Sequence, residues 1–355
     1  MRTLRAVQVE GFKSIASADI TLGHLNVVIG ANGSGKSNLI GVFRLLERVL
    51  SRNLQLCVAG EPDRLLHHGR KVTPALSMAL QFEHHRYGFK QIAAQDTLVF
   101  ESETVSELGH SVNLQVQGPG RLESLFDHPN FNRVELPEDA LSLLRHLVVH
   151  HFQDVSDTAP AKQSADLDDN RYLRADAANL APYLYWLQER HPVEFRHIEE
   201  HVRLVAPFFD RFVLAPSRLN EKKIKLEWRQ KGSDAYFDGY ALSDGTLRFI
   251  CLATLLLQPA PPALILLDEP ELGLHPYAIR ILAELLDAAS QGAQVLLATQ
   301  SVTLLNQFAP ADVLVAENLG GQTSFRRLDE AALARWLSEF SLGELWEKNV
   351  LGGRP

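Results

Sequence analysis

The stretch that decides the fold of this chain is Gly30-Ala31-Asn32-Gly33-Ser34-Gly35-Lys36-Ser37. It fits the phosphate-binding loop (P-loop) pattern G-x-x-x-x-G-K-[ST] in full. Its glycines allow backbone N–H groups to close around phosphates, Lys36 reaches the β and γ phosphates, and the Ser37 hydroxyl ligates Mg²⁺. A short apolar run at 25–29 precedes the loop, and apolar residues recur at helical spacing from 39 to 50. The pattern predicts a strand, a glycine loop and a helix whose N-terminus faces an anion.

A second motif places two acids at the end of an apolar run. Residues 264–267 are all leucine or isoleucine, and Asp268 and Glu269 follow directly. Open α/β sheets bind ligands at the carboxyl ends of their strands, where these acids would lie. Asp268 is therefore the expected holder of Mg²⁺, and Glu269 is placed to orient or deprotonate an attacking water. Two solvated acids after a strand are the alternative, which the P-loop disfavours.

A third motif opens a predicted helix and reads Leu242-Ser243-Asp244-Gly245-Thr246-Leu247-Arg248. The serine hydroxyl and the exposed N–H groups of a helix start suit a γ-phosphate. An ordinary N-cap formed by Ser243 or Asp244 would explain the same residues.

Further residues extend the pattern, namely Gly11-Phe12-Lys13-Ser14, Asn38 and Asp268-Glu269-Pro270-Glu271-Leu272-Gly273-Leu274-His275-Pro276. Taken in their order along the chain, the P-loop, segment 242–248 and the two acids resemble the ABC ATPase superfamily, with 242–248 in the place of its signature motif and Asp244 where many members carry glycine. The further residues resemble AAA_21-type predicted ATPases, which are related to SMC and RecF proteins and to the ATPase part of overcoming-lysogenization proteins. The resemblance implies that 12–14 lie near the nucleotide and that 273–275 form the D-loop at a dimer contact.

Two positions need separate treatment: Gln300 differs from the pattern of the family, and the pattern does not assign the Mg²⁺-ligating glutamine to one residue. Gln300 follows the predicted strand 295–298, where many such ATPases carry histidine. Glutamine hydrogen-bonds a γ-phosphate or a water but carries no proton charge, so we expect slow turnover. Several glutamines compete for the place of the Mg²⁺-ligating glutamine. Gln153 is our candidate, and a solvated loop residue is the alternative.

The motifs and the resemblance together imply a site for ATP and Mg²⁺. The implied catalytic residues are Lys36, Glu269 and Gln300, and the implied Mg²⁺ ligands are Ser37, Asp268 and Gln153. The implied nucleotide contacts are Gly30, Asn32, Gly33, Ser34, Gly35, Lys36, Ser37, Asn38, Lys13 and Ser14, with Ser243, Asp244 and Gly245 supplied by a second copy of the chain. We therefore expect a homodimer on ATP binding, which hydrolysis releases.

The surrounding pattern predicts an α/β fold, a P-loop NTPase of ABC type with a mixed sheet, an antiparallel flank and an inserted helical subdomain. Residues 1–150 would form a nucleotide-binding lobe with antiparallel strands. Residues 151–240 would form a largely helical insertion with helical periodicity at 175–210 and a basic strand. Residues 241–355 would form a second lobe with the signature, the acids and a short tail. Strands at 264–267, 295–298 and 313–316 are expected to share one sheet with the first lobe.

Composition limits the kind of partner and the cellular compartment that we expect for this chain. The chain has 355 residues and a net charge of -8, which argues against a generally basic surface but leaves a local basic patch open. Its two cysteines lack C-x-x-C spacing, which fits a reducing cytoplasm. The sequence shows neither a signal-peptide pattern nor a run of roughly 18–20 apolar residues, so we expect a cytoplasmic protein without membrane partners.

Two biological roles stay open. One is a clamp on DNA in repair, recombination or defence against foreign DNA, as the resemblance suggests. The other is a regulatory switch that controls a separate effector protein without binding DNA. Lys223, Lys225 and Arg229 alternate with apolar residues and predict a basic strand face, which suits DNA phosphates or is simply solvated. The acidic balance of the chain leans toward the switch.

Overall fold

The computed structural model of the chain describes residues 4–107, 113–116, 120–126 and 136–353. The strands are β1 (Ala6–Phe12), β2 (Ile15–Thr21), β3 (Leu25–Ile29), β4 (Ala75–Gln81), β5 (His85–Ala94), β6 (Thr97–Glu107), β7 (Asn113–Val116), β8 (Val149–His150), β9 (Ala165–Asp166), β10 (Phe209–Phe212), β11 (Lys223–Ile224), β12 (Glu227–Gln230), β13 (Tyr236–Asp238), β14 (Leu264–Asp268), β15 (Gln294–Ala298), β16 (Val313–Leu319) and β17 (Gln322–Arg327). The helices are α1 (Lys36–Leu50), α2 (Leu54–Val58), α3 (Glu138–Arg145), α4 (Leu180–Arg190), α5 (Pro192–Val205), α6 (Asp244–Leu257), α7 (Pro276–Ser290), α8 (Val302–Leu305), α9 (Glu330–Leu337) and α10 (Leu342–Glu347). Within the described ranges, no helix combines the length and the apolar character needed to cross a bilayer.

A six-stranded central sheet carries the architecture. Its order is β17-β16-β3-β15-β14-β8. β3 pairs in parallel with β16 and β15, β14 pairs in parallel with β15 and β8, and only β17 is antiparallel to its neighbour. The N-terminal strand β3 therefore lies inside a sheet built mainly from C-terminal strands. The predicted mixed sheet, shared between the two ends of the chain, is confirmed.

Alternating side chains divide the central sheet between two cores. Val27 and Ile265 point to one face and pack with α6 and α7. Val28 and Leu266 point to the other face and pack with α1 and the antiparallel sheet. Because successive residues of a strand face opposite sides, strands covered on both faces must be apolar throughout. This explains why the runs at 25–29 and 264–267 contain almost no polar residue.

The antiparallel flank is a second six-stranded sheet, ordered β2-β1-β4-β5-β6-β7. β4 alternates between buried and half-buried side chains along its whole length, as expected for a strand with one face on a core and one toward solvent. The flank predicted for the first lobe is thus confirmed. It also contains the long strand β5, which the sequence pattern did not single out.

The segment 151–240 packs onto the central sheet. α4 and α5 lie where helical periodicity predicted helices, and β9 to β13 form two small antiparallel sheets beside them. Leu184, Ile198 and Trp228 from this segment belong to the same core as α6 and α7. The domain boundaries at 150 and 240 stay a prediction.

The C-terminal tail lies against the beginning of the P-loop. The Trp346 side chain is fully buried, and its indole N–H donates to the carbonyl of Gly353. The Gly353 N–H donates to Glu317 Oε1 over 2.9 Å. A Cβ at Gly353 would touch the Cα of Gly30, so the tail and the P-loop are in close contact.

Candidate functional site

Four loops meet at one edge of the central sheet because each follows the carboxyl end of a parallel strand. The P-loop follows β3, residues 299–301 follow β15, residues 269–275 follow β14, and Gln153 lies shortly after β8. These four strands are neighbours in the order β3-β15-β14-β8. The edge outside the carboxyl ends of parallel strands is where open α/β sheets bind ligands.

The P-loop geometry fits a phosphate. Gly35 caps α1 in the left-handed region with φ of +102°, and this N-cap makes no side-chain hydrogen bond in the part of the chain that the structure describes. A Cβ at Gly35 would overlap the side chain of Thr323, so only glycine fits there. The buried Lys36 donates from Nζ to the carbonyls of Gly30 and Ala31 at 2.7 and 3.0 Å. Burial lowers the pKa of Lys36, and the acids opposite, Glu269 first, offset part of that effect.

The predicted Mg²⁺ ligands converge. Ser37 Oγ donates to Asp268 Oδ1 over 3.3 Å, and Gln153 Nε2 donates to the Asp268 carbonyl over 3.3 Å. Burial raises the pKa of Asp268, and Arg44 offsets part of the rise. In phosphoryl-transfer sites Mg²⁺ is held by protein oxygens such as a hydroxyl and a carboxylate, together with phosphate oxygens of the substrate. The residues therefore fit the metal. Direct ligation by Gln153 stays a prediction.

Gln300 contacts the predicted general base. Its Nε2 donates to Glu269 Oε1 over 2.6 Å. Glu269 has a φ of +47°, an uncommon backbone conformation for a residue with a side chain, and its N–H donates to the Ala298 carbonyl over 2.8 Å. Such conformations cluster at functional sites, where the surrounding structure holds them.

A relay of hydrogen bonds ties the P-loop to the β1–β2 turn. Asn38 Nδ2 donates to Ser14 Oγ over 2.7 Å, and Ser14 Oγ lies 2.7 Å from Thr323 Oγ1. Thr323 Oγ1 donates in turn to the Ser34 carbonyl over 3.0 Å, so Ser14 is the donor to Thr323. Lys13, exposed in the same turn, has a φ of +47°. No sequence motif marks Thr323, since β17 reaches this position through its pairing with β16 and through the hydrogen bond from the Thr323 N–H to the Ser14 carbonyl.

The signature segment caps its own helix. Ser243 Oγ accepts from the N–H of Thr246 over 3.3 Å, so the N-cap interpretation of this serine holds in the described chain. Ser243 and Asp244 are nevertheless exposed. Gly245 packs against the D-loop, because a Cβ there would overlap the Gly273 carbonyl.

Arg248 joins the signature helix to the loop that holds Gln153. Its Nε donates to the Phe152 carbonyl over 2.9 Å, and its NH2 group donates to the Gln153 carbonyl over 3.0 Å. Arg248 is buried, yet sequence reasoning placed it only inside the signature motif and gave it no role. Segment 243–248 thus contacts both Gly273 and the loop that holds Gln153.

P-loop residues, Glu269 and Gln300 line an open cavity of about 250 Å³. Its lining residues are Asn32, Gly33, Gly35, Lys36, Ser37, Asn38, Glu269 and Gln300. Among the described residues, the signature segment 243–245 does not contribute to this wall.

Comparison with known families identifies the relatives of the chain. A family model, AAA_21, described as an AAA domain, putative AbiEii toxin, Type IV TA system, matches residues 25–306. The chain belongs to this family. The matched range of AAA_21 begins with β3 and ends just after α8, so it contains all four loops of the site.

Solved structures similar to this AAA_21 chain include SMC heads. One is an SMC head bound to the C-winged helix domain of ScpA, with a TM-score of 0.63 and 16% identity, covering 93% of this chain and 99% of that one. Another is an Smc head with an extended coiled coil from Pyrococcus furiosus, bound to the C-terminal domain of ScpA. It has a TM-score of 0.59 and 15% identity and covers 96% of this chain and 99% of that one. The fold is thus that of an SMC head.

A shorter likeness links the AAA_21 chain to a curated protein. A stretch of 78 residues is 38% identical to urease accessory protein 2 of Cryptococcus neoformans, which is 21% of this chain and 6% of that protein. The chain therefore spans only a small fraction of the length of this relative.

Replacing Thr323 with valine should weaken ATP binding. The change keeps the shape of the side chain but leaves the Ser34 carbonyl without its donor, which costs about 1–3 kcal/mol in a buried place. Titration calorimetry with a non-hydrolysable ATP analogue should show a loss of about tenfold or more in affinity. Thr323→Ser keeps the hydroxyl and should bind like the wild type. An unchanged Kd for Thr323→Val would mean that the relay does not shape the P-loop.

Proposed function

We propose that this chain binds ATP with Mg²⁺ and hydrolyses it, with Glu269 acting on the attacking water. The observation that carries the proposal is the contact of Gln300 with Glu269 on the wall of the cavity that Lys36 and Ser37 also line. When bound, Mg²⁺-ATP supplies the γ-phosphoryl group that is transferred to water, which yields ADP and phosphate.

The residues divide the work by position. Lys36 and the uncapped N–H groups of α1 bind the phosphates, and Ser37 and Asp268 hold the metal. Glu269 accepts the proton of the attacking water, and Gln300 orients the Glu269 carboxylate through its 2.6 Å hydrogen bond. Because the Gln300 amide takes up no proton, it positions Glu269 without acid–base chemistry of its own, and we expect slow turnover.

Glu269→Gln should keep ATP bound but stop turnover. The phosphate and metal contacts survive, whereas the water loses its proton acceptor, a contribution of about 10²–10⁴ in rate. Phosphate release at saturating ATP measures the loss, and calorimetry measures the retained affinity. Glu284→Gln changes an exposed acid on α7 in the same way and serves as the control. Wild-type phosphate release by Glu269→Gln would remove Glu269 from the mechanism.

We further propose that a second copy of the chain completes the site. The signature residues Ser243 and Asp244 are exposed and are not part of the cavity wall. Apolar side chains beside the signature and the D-loop are exposed too, with Leu272 at 51%, Tyr277 at 47% and Tyr240 at 46%. Exposed apolar groups near an incomplete site are what a face for self-association would present. The ATP-bound chain would then be a homodimer with each nucleotide between a P-loop and the partner's signature.

Ser243→Arg should leave ATP binding to the monomer intact and block the ATP-driven dimer. The reason is that the bulky arginine side chain would occupy the position that the γ-phosphate takes beside the signature segment in the dimer. Light scattering of the Glu269→Gln protein with ATP should show twice the monomer mass, and adding Ser243→Arg should abolish that increase. Mixing Ser243→Arg chains with Lys36→Ala chains should restore part of the ATPase activity, since one of the two composite sites keeps both motifs. A monomeric Glu269→Gln protein, together with wild-type hydrolysis by Ser243→Arg, would refute the shared site.

We propose that the dimer controls a separate protein. Two similar SMC heads are bound to a domain of ScpA, and the family description includes a putative toxin. DNA is the second candidate because Lys223 and Lys225 remain partly exposed. However, Lys223 pairs with Asp166 at 2.9 Å and Lys225 with Glu227 at 3.1 Å. Carboxylates beside these cations weaken their attraction for phosphates, which favours the protein switch.

DNA binding separates the two roles. We expect the ATP-loaded Glu269→Gln protein to bind duplex DNA no more tightly than the non-specific range of about 10⁻⁴–10⁻⁶ M at physiological salt. Reversing Lys223, Lys225 and Arg229 to glutamate should leave that binding unchanged. Fluorescence anisotropy over a series of salt concentrations makes the measurement. Tight binding that the reversal weakens at every sequence, with a flatter salt slope, would establish the DNA clamp instead.

A further inference from the structure

Glu271 is a buried acid next to the site to which neither the motifs nor the proposed mechanism assigns a task. It lies three residues after Asp268 and is only 8% exposed. Its Oε1 accepts from the hydroxyl of Thr299 and, over 3.4 Å, from the N–H of Gln300. It therefore joins the loop after β14 to the loop after β15.

The bonding of Glu271 is one-sided. Its Oε2 is buried and has no hydrogen-bond partner among the described residues. Burial raises the pKa of Glu271, and the Thr299 hydroxyl offsets part of that effect. A buried carboxylate with one unpaired oxygen costs free energy that an apolar side chain of similar size would not. Stability alone is therefore a poor reason for an acid at this position.

The loop after β15, which Glu271 contacts, is also fixed by hydrogen bonds of Thr299 and Ser301. The Thr299 N–H donates to the Val28 carbonyl over 2.9 Å, and Thr299 Oγ1 accepts from the N–H of Ser301 over 2.9 Å. Ser301 in turn caps α8 by accepting from the N–H of Leu304. The backbone on both sides of Gln300 is thus fixed, and the Gln300 side chain is held toward Glu269.

We propose that Glu271 is a positioning residue for hydrolysis, which holds Thr299 and the Gln300 backbone so that the Gln300 amide meets Glu269. The proposal rests on the proposed role of Glu269. In this proposal Glu271 acts through Thr299 and Gln300, to which it is hydrogen-bonded. Its loss should lower kcat without changing ATP affinity, because the P-loop and the metal ligands keep their places.

A double-mutant cycle tests the route of action. Glu271→Ala and Gln300→Ala should each lower kcat by about tenfold to a hundredfold, as expected for an interaction made by a charged group. If Glu271 works through Gln300, the double variant should be no slower than Gln300→Ala alone. Phosphate release at saturating ATP gives kcat, and calorimetry gives the affinity for a non-hydrolysable analogue. Glu284→Ala on the exposed face of α7 is the surface control and should match the wild type.

Two further variants separate positioning from charge and from folding. Glu271→Gln keeps an oxygen acceptor and removes the charge, so it should recover most of the kcat that alanine loses. A loss of ATP affinity in Glu271→Gln would instead mean that the Glu271 charge acts on Lys36, and would overturn the proposal. Thr299→Val removes the donor from the other side and should lower kcat as Glu271→Ala does. It also provides the test if Glu271→Ala does not fold.

Additive losses in the double variant, or wild-type kcat in either Glu271→Ala or Thr299→Val, would overturn the positioning role. This failure is distinct from failure of the proposed function. If Glu269→Gln hydrolyses ATP at the wild-type rate, the mechanism itself is wrong. If Glu269→Gln is inactive while Glu271→Ala is unimpaired, only the role of Glu271 falls.

Discussion

β3 pairs in parallel with β15 on one side and with β16 on the other, and every part of the site depends on this insertion. The P-loop continues β3, whereas the acids and Gln300 continue β14 and β15, more than 200 residues later in the chain. The order and register of the strands bring these loops to one edge of the sheet, although the motifs are far apart in the sequence. The buried side chains on both faces of the sheet hold the register, because a shift by one residue would exchange the two faces.

Burial of the charged groups in the site carries a desolvation cost. Burial pushes Lys36 toward its neutral form and Asp268 and Glu271 toward theirs, as the directions of their pKa shifts show. The opposite charges across the cavity oppose this tendency, since the acids raise the pKa of Lys36 and Lys36 lowers that of Asp268. Removing charged groups from water costs free energy, so this cluster is better explained by its chemistry than by stability.

Hydrogen bonds between loops give the site its shape. The relay through Ser14 and Thr323 fixes the P-loop from one side, and Glu271 fixes the Gln300 loop from another. Arg248 connects the signature helix to the backbone at Gln153, beside Asp268. Hydrogen bonds therefore link the segment proposed to face the partner chain to the loop proposed to hold the metal.

The sequence alone determined the strand–loop–helix of the P-loop, the strands that end at Asp268 and Ala298, and the α/β class, because these features depend on residues close together in the chain. It also identified Gln300, two residues after the end of β15. It did not predict β5, the division of the basic strand between β11 and β12, or the tasks of Thr323 and Glu271. Ser14 and Thr323 are 309 positions apart, and Glu271 meets Thr299 only because β14 and β15 lie side by side. Such contacts follow from strand order and register. Both depend on how the whole chain packs, so no local sequence pattern predicts these contacts.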